Sequence, residues 1–185
     1  MGMMVSPEKL RRYELFASLD DAMIKAIAMA GEVKDYKKGE WLFQEGETAK
    51  YAYIILKGRV EINVSLGPEN MHQVGVSGLI EGELFGWSAL VDPYRYQLGA
   101  ITLSKCQMIR FDGVQLCELF THNPSIGYIM MSRITRIIGN RLDNLRVQFV
   151  SLIEGGRWER LATEKLMVMS VGGRLFPSDA SLTGR

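Results

Sequence analysis

Between residues 32 and 112 the chain alternates short runs of β-branched and aromatic residues with turns that hold glycine. "EWLFQEG", "YAYIILKG", "RVEINVSLG", "HQVGVSG", "YQLGAITLS" and "CQMIRFDG" follow one another at intervals of about ten residues. Short strands at regular spacing, each closed by a turn signal, specify an antiparallel sandwich or barrel. The glycines supply the positive φ that other residues resist.

Helical patterns flank this block. Pro7 suits a helix start, and Leu10, Tyr13, Leu15 and Phe16 give an apolar side. In "SLDDAMIKAIAMAG", Ser18 or Asp20 can cap a second helix. Met23, Ile24, Ile27 and Ala28 form its stripe and Gly31 its end. After Gly113, "VQLCELFTHNP" reads as a short helix stopped before Pro124. A long helix then runs from about Ser125 to Ile153. Its positions Ile138, Leu142, Leu145, Phe149 and Leu152 alternate spacings of 4 and 3, the a/d seam of a helix that pairs with another helix. These five residues are the candidate interface of a homodimer. Four arginines (133, 136, 141 and 146) against Asp143 give this helix a basic cast, which reads as a solvated face. The expected organisation is a helical segment at 1–31, a β-domain at 32–123, the long helix at 124–153 and a short tail at 154–185.

Several function classes are excluded early. The formal net charge is +1 over 185 residues, too small a field to draw in nucleic acid or an anionic membrane. No apolar run reaches the roughly 18 residues that span a bilayer, and "MGMMVSPEKLRRYELF" lacks a signal-peptide core. The expected location is the cytoplasm. Cys106 and Cys117 form no CxxC pair, and with His72 and His122 they show no metal-ligand spacing, so free thiols and no metal site are expected. Walker, nucleophile-elbow and zincin motifs are absent, and no nucleophile–base pair is visible. The chain does not read as an enzyme.

One stretch carries binding chemistry. In "GELFGWSALVDPYRY", Gly82 and Gly86 can bring backbone N–H groups close to an anion, and "SAL" can open a helical turn with partial positive charge at its start. The same glycines would serve equally if they only shaped β-turns. A following arginine can grip a phosphate with two N–H groups.

The pattern "YKKGEWLFQEGETAKYAYIILKGRVEI", with Gly39, Gly46 and Gly58, resembles the first half of a cyclic-nucleotide-binding domain, and "GELFGWSALVDPYRYQLGAIT" resembles its phosphate-binding cassette. Residues 14 to 150 fit this family, nearest in pattern to sensor domains of the bacterial catabolite-activator/fumarate-nitrate-regulator (Crp/Fnr) type. The resemblance implies an α+β fold: an eight-stranded, jelly-roll-like antiparallel β-roll flanked by N-terminal helices and a long C-terminal dimerisation helix. It implies a small-molecule effector, with cyclic AMP or cyclic GMP the first candidates, and a pocket formed by Gly82, Glu83, Leu84, Phe85, Gly86, Trp87, Ser88, Ala89, Tyr94, Arg95, Tyr96 and Gln97. Asn144 and Arg146 on the long helix lie roughly where relatives contact the base; a solvated face is the other reading.

The cassette departs from the family at two points. Where relatives carry a Glu that accepts from the ribose, this chain has Trp87, whose indole donates one hydrogen bond and accepts none. Counting back from "GAIT", the usual arginine position falls near Tyr94, and Arg95 reaches it only if the loop is a residue shorter. Trp87, Tyr94 and Tyr96 would suit a planar or apolar ligand, so that another small anionic or aromatic ligand could replace the cyclic nucleotide, or they would fill the pocket themselves. Three readings stay open: a ligand-sensing regulatory domain signalling through the dimerising helix, a Crp/Fnr-type transcription regulator without its helix-turn-helix, and an interaction module that binds no ligand. DNA is a partner only if a further C-terminal domain exists.

Overall fold

A computed structural model describes residues 3–66 and 72–154, with side chains described to 151. A short strand β1 (Met3–Met4) and a one-turn helix α1 (Pro7–Leu10) precede a 3-10 turn at Glu14–Phe16 and helix α2 (Asp21–Met29). The strands follow as β2 (Gly31–Tyr36), β3 (Trp41–Phe43), β4 (Tyr51–Lys57), β5 (Val60–Leu66), β6 (His72–Leu79), β7 (Leu84–Phe85), β8 (Gly99–Thr102) and β9 (Cys106–Asp112). A 3-10 turn at Trp87–Leu90 separates β7 from β8. Helices α3 (Gly113–His122) and α4 (Pro124–Glu154) close the described part.

The strands form two antiparallel sheets, in the order β1-β2-β9-β4-β7 and β3-β8-β5-β6. The first sheet is covered on both faces. Val33, Ala52, Ile54, Leu84, Ile109 and Phe111 face a helical layer holding Phe16, Ile24, Ile27, Leu116, Ile126, Met130 and Ile134. Tyr36, Tyr53, Ile55, Phe85 and Met108 face the second sheet across the roll interior, where they meet Phe43, Val60, Leu79, Tyr96 and Ala100. Double coverage explains why β4 reads as an unbroken apolar run rather than an alternating one. The α+β class, the antiparallel roll, the N-terminal helices and the long C-terminal helix are all as the sequence led us to expect.

Local chemistry sets the element ends. Asp20, one of the two expected caps, accepts from the Met23 amide at 2.8 Å, and Asp112 caps α3 by accepting from Gln115 at 3.0 Å. Gly31 does not end α2 by a left-handed turn: Ala30 terminates the helix and Gly31 opens β2. A Cβ there would come within 2.9 Å of the Phe111 ring, so the glycine serves close packing between strand and strand. β2 itself is absent from the sequence reading, because only Val33 and Tyr36 of its six residues are buried. The expected tail lies outside the described residues from 155 onward.

By contacts the chain divides into two compact units, the first ending at Asn140 and the second starting at Arg141. Within the first, α4 buries Ile126, Met130 and Ile134, and Arg133 donates to the Leu15 carbonyl at 2.6 Å. Within the second, Leu142, Leu145 and Phe149 are exposed, at 65%, 48% and 49%. The side chain of Leu152 lies outside the described residues.

Gly58 forms a tight turn between β4 and β5. Its φ is +103°, and a Cβ would lie 2.5 Å from the Cys106 sulfur and 2.7 Å from the Lys105 carbonyl. Gly58→Ala is therefore expected to lower stability by about 3 kcal/mol or more, read from urea unfolding. A loss under about 1 kcal/mol would show that the turn relaxes freely.

Candidate functional site

The cassette begins where β7 pairs with β4. Gly82 donates to the Ile55 carbonyl at 2.8 Å, and Ile55 donates back to the Glu83 carbonyl at 3.2 Å. Strand alternation then sends Leu84 into the helical core and Phe85 into the roll. The Glu83 carboxylate turns onto its own loop and accepts from the Ile80 amide at 2.7 Å.

Gly86 is the pivot. It is left-handed, with φ +70°, and a Cβ would sit 2.8 Å from the Tyr51 carbonyl and 3.1 Å from the Tyr53 ring. The glycine thus shapes a turn and also permits a close approach of cassette to strand. Ala89 is buried and donates to the Gly86 carbonyl at 3.1 Å. Ser88 is half-buried, and Trp87 is half-buried against the helical core rather than the roll interior.

The return limb settles which way each side chain points. Thr48 and Arg95 form an isolated bridge, and the Tyr96 amide donates to the Glu47 carbonyl at 3.0 Å. Alternation places Tyr96 inside and its neighbours outside. Arg95 is exposed and its guanidinium donates to the Gly46 carbonyl at 2.8 Å. Tyr94 is 45% exposed and left-handed, with φ +54°, while its carbonyl accepts from Ala49 at 2.7 Å. Gln97 is exposed, its amide 3.4 Å from the Arg95 carbonyl.

Tyr96 holds the two limbs together. Its ring stacks on Phe43, with centroids 3.6 Å apart at 10°. Its hydroxyl donates to the Tyr51 carbonyl at 2.8 Å and accepts from the Tyr51 amide at 3.0 Å. Beside this pair, Tyr53 stacks on Phe85 at 5.0 Å, and Phe43 lies 5.9 Å from Tyr53. The cassette side of the roll interior is therefore an aromatic box.

Four further residues border it, and sequence reasoning singled out none of them. Arg110 donates to the Glu32 carboxylate, and its guanidinium lies 4.3 Å from the centroid of the Tyr51 ring. The Tyr36 hydroxyl is buried without a hydrogen-bond partner among the described residues. Only the spacing of "YAY", with Tyr51 and Tyr53 on one face of β4, signalled this group in the sequence. Burial pushes the Tyr36 hydroxyl up to about 12 and raises Tyr53 and Tyr96 as well. These phenols are neutral donors at ordinary pH.

The structure thus gathers Gly82 to Gln97 into one cassette. Asn144 and Arg146 belong to the second unit, where both are exposed. Among the described residues no three His, Cys, Asp or Glu side chains could hold a metal ion, and both cysteines are free.

Comparison with known proteins gives this geometry a context. Residues 33–123 match the family described as the cyclic nucleotide-binding domain. A solved structure of a cyclic nucleotide-binding protein from Geobacter metallireducens superposes with a TM-score of 0.68 at 32% identity, covering 75% of this chain and 99% of that one. A protein named as a potassium channel of Rhodopseudomonas palustris is 29% identical over 142 residues, 76% of this chain and 32% of its own length. A cAMP-activated global transcriptional regulator of Mycobacterium tuberculosis is 23% identical over 146 residues, 79% of this chain and 62% of its own. The chain spans about a third of the length of the first of these two relatives and under two thirds of the second.

The phenol shifts fix a pH dependence. Above about pH 10 an unfolded tyrosine ionises while buried Tyr36 stays protonated, so the unfolded state loses protons first and stability falls as pH rises from 10 toward 12. Unfolding free energies measured by urea across this range should decline, and less steeply in Tyr36→Phe. At neutral pH that variant should be unchanged or more stable by about 1 kcal/mol, since it deletes an unpaired hydroxyl. An equally steep alkaline decline in the variant would assign the titration to other groups.

Proposed function

The chain belongs to the cyclic nucleotide-binding domain family, and we propose that it is a ligand-sensing regulatory domain whose small-molecule effector seats in the β-roll beside the Gly82–Gln97 cassette. The observation that carries this reading is the approach of left-handed Gly86 to the Tyr51 carbonyl, which folds the cassette over the aromatic box. Cyclic AMP and cyclic GMP are the first candidates. Two features favour a replacement ligand that is planar and aromatic: Trp87 stands where the family resemblance places the ribose-binding acid, and the Arg95 guanidinium is engaged by Gly46. The polar groups bordering the box are buried phenols and the Arg110–Glu32 pair, and the unpartnered Tyr36 hydroxyl can donate to an acceptor in the plane of a ligand ring.

The test is thermal unfolding against cyclic AMP, cyclic GMP, other nucleotides and planar aromatic compounds. A ligand at about 100 times its dissociation constant should add roughly 2.7 kcal/mol, a shift of a few degrees for a domain of this size. A shift with a cyclic nucleotide that disappears in Arg95→Ala would mean that this arginine leaves Gly46 for the phosphate. Silence across the whole panel would favour a second reading, an interaction module that binds no ligand. The stack of Tyr96 on Phe43 supports that alternative, because it occupies the interior next to the cassette.

The output of the domain is proposed to be α4, pairing with its copy in a homodimer. Support comes from the a/d spacing together with the exposure of Leu142 and Leu145. Among the described residues no helix is long and apolar enough to cross a membrane. Leu142→Glu should convert the protein from dimer to monomer in light scattering while leaving the unfolding of the β-domain unchanged. A monomer before mutation would remove the dimer from this proposal.

A further inference from the structure

The backbone and the ring of Tyr51 are held by different neighbours, and the residue joins them. β7 is two residues long and pairs with β4 at Tyr53 and Ile54, so it stops short of Tyr51. The Tyr96 hydroxyl closes that stretch of edge, accepting from the Tyr51 amide and donating to its carbonyl. The same carbonyl lies 2.8 Å from where a Cβ on Gly86 would stand. The placing of one residue's peptide groups therefore sets the closeness of the cassette turn and the anchor of its return limb.

The Tyr51 ring is held by charge. The Arg110 guanidinium lies 4.3 Å from its centroid, and Tyr53 meets it edge-on with centroids 6.4 Å apart. Arg110 stands on β9, in register with Glu32 of β2 on one side and Tyr53 of β4 on the other. It donates to the Glu32 carboxylate, so its guanidinium is tied to β2 while its face meets a ring of β4. Both side chains keep some contact with solvent, at 23% and 33%. Lys34, the neighbouring cation on β2, lies over a different ring, that of Tyr36, at 5.3 Å.

We propose that Arg110, oriented by Glu32, is a positioning residue of the cassette. Its guanidinium restrains the Tyr51 side chain, and through that residue's backbone it restrains the Gly86 turn and the Tyr96 anchor. An uncharged side chain in its place would fill space without the attraction of a cation for the ring face. The consequence for effector affinity rests on the ligand-sensing reading, whereas the positional role does not.

The experiment follows amide exchange and amide resonances of the isotope-labelled full chain by NMR with no ligand added. Tyr96→Phe removes the acceptor of the Tyr51 amide and sets the upper limit of its exchange. Arg110→Gln should speed the Tyr51 amide roughly five-fold more than it speeds the amides of β9, which is paired on both edges. Glu32→Gln should act in the same direction and more weakly. In the unmutated protein, which folds whatever the variants do, about 1 M salt should screen the partly exposed pair and also speed the Tyr51 amide relative to β9. Arg110→Gln and Tyr51→Leu should displace the Gly86 amide resonance in the same direction, and the double variant no further than the larger single change. Equal acceleration at Tyr51 and β9, additive displacement at Gly86, or no response to salt would each overturn the proposal. Thermal unfolding with cyclic AMP and cyclic GMP separates the two readings. No shift in the unmutated protein counts against ligand sensing alone and leaves the exchange result to decide the role of Arg110. A shift with either nucleotide should shrink in Arg110→Gln, and a shift of full size there would overturn the proposal.

Discussion

The hydroxyl of Tyr96 is the pin on which the arrangement of this site depends. It bonds both the amide and the carbonyl of Tyr51, 45 residues away in sequence, and so fixes the start of β4 to the far end of the cassette. Because alternation is strict, an inward Tyr96 forces Arg95 outward onto Gly46. The same pin leaves no slack at Gly86, whose backbone already touches the Tyr51 carbonyl closely enough to exclude any side chain. One phenol thus sets the direction of the cassette arginine and the closeness of the cassette turn.

The interior it closes over is aromatic for a physical reason. A roll of two sheets needs large side chains to fill the space between them, and rings do this at low conformational cost. Phe43, Tyr53, Phe85 and Tyr96 interlock by stacking or tilted contacts. Buried phenols must also bond or bear a penalty. Tyr96 is satisfied by backbone, whereas Tyr36 is not. An unpaired donor beside the Arg110–Glu32 pair is the kind of group a ligand acceptor can satisfy, and it lies on the first sheet, away from the cassette residues that the sequence points to.

How much of this was legible in the sequence follows from how each residue signals. β4, β5 and β9 were readable because their β-branched runs are bounded by glycines at 58 and 113. β2 was not, since "GEVKDY" carries charge at three of its six positions and its pairing partner β9 lies far along the chain. The cassette was recognisable from Gly82 and Gly86, yet the side on which Arg95 falls was not, because it turns on a pairing register that Tyr96 decides through a contact with Tyr51. The roles of Arg110 and Glu32 were equally hidden. They face one another only because β2 and β9 are neighbours in the sheet, a long-range pairing with no local signature.

The long helix carries two apolar stripes with different periods, and this bears on what it can do. Ile126, Met130 and Ile134 recur every fourth residue, and all three are buried on the β-domain. A strict spacing of four drifts by about 40° per step on an α-helix, so such a stripe winds slowly around it. From Ile138 the spacing changes to alternating four and three, which averages 3.5 and holds one direction. A helix patterned this way can give one stripe to its own domain and the other to a partner without competition between them. The change of period falls near Ile138, just ahead of Asn140, where the first compact unit ends.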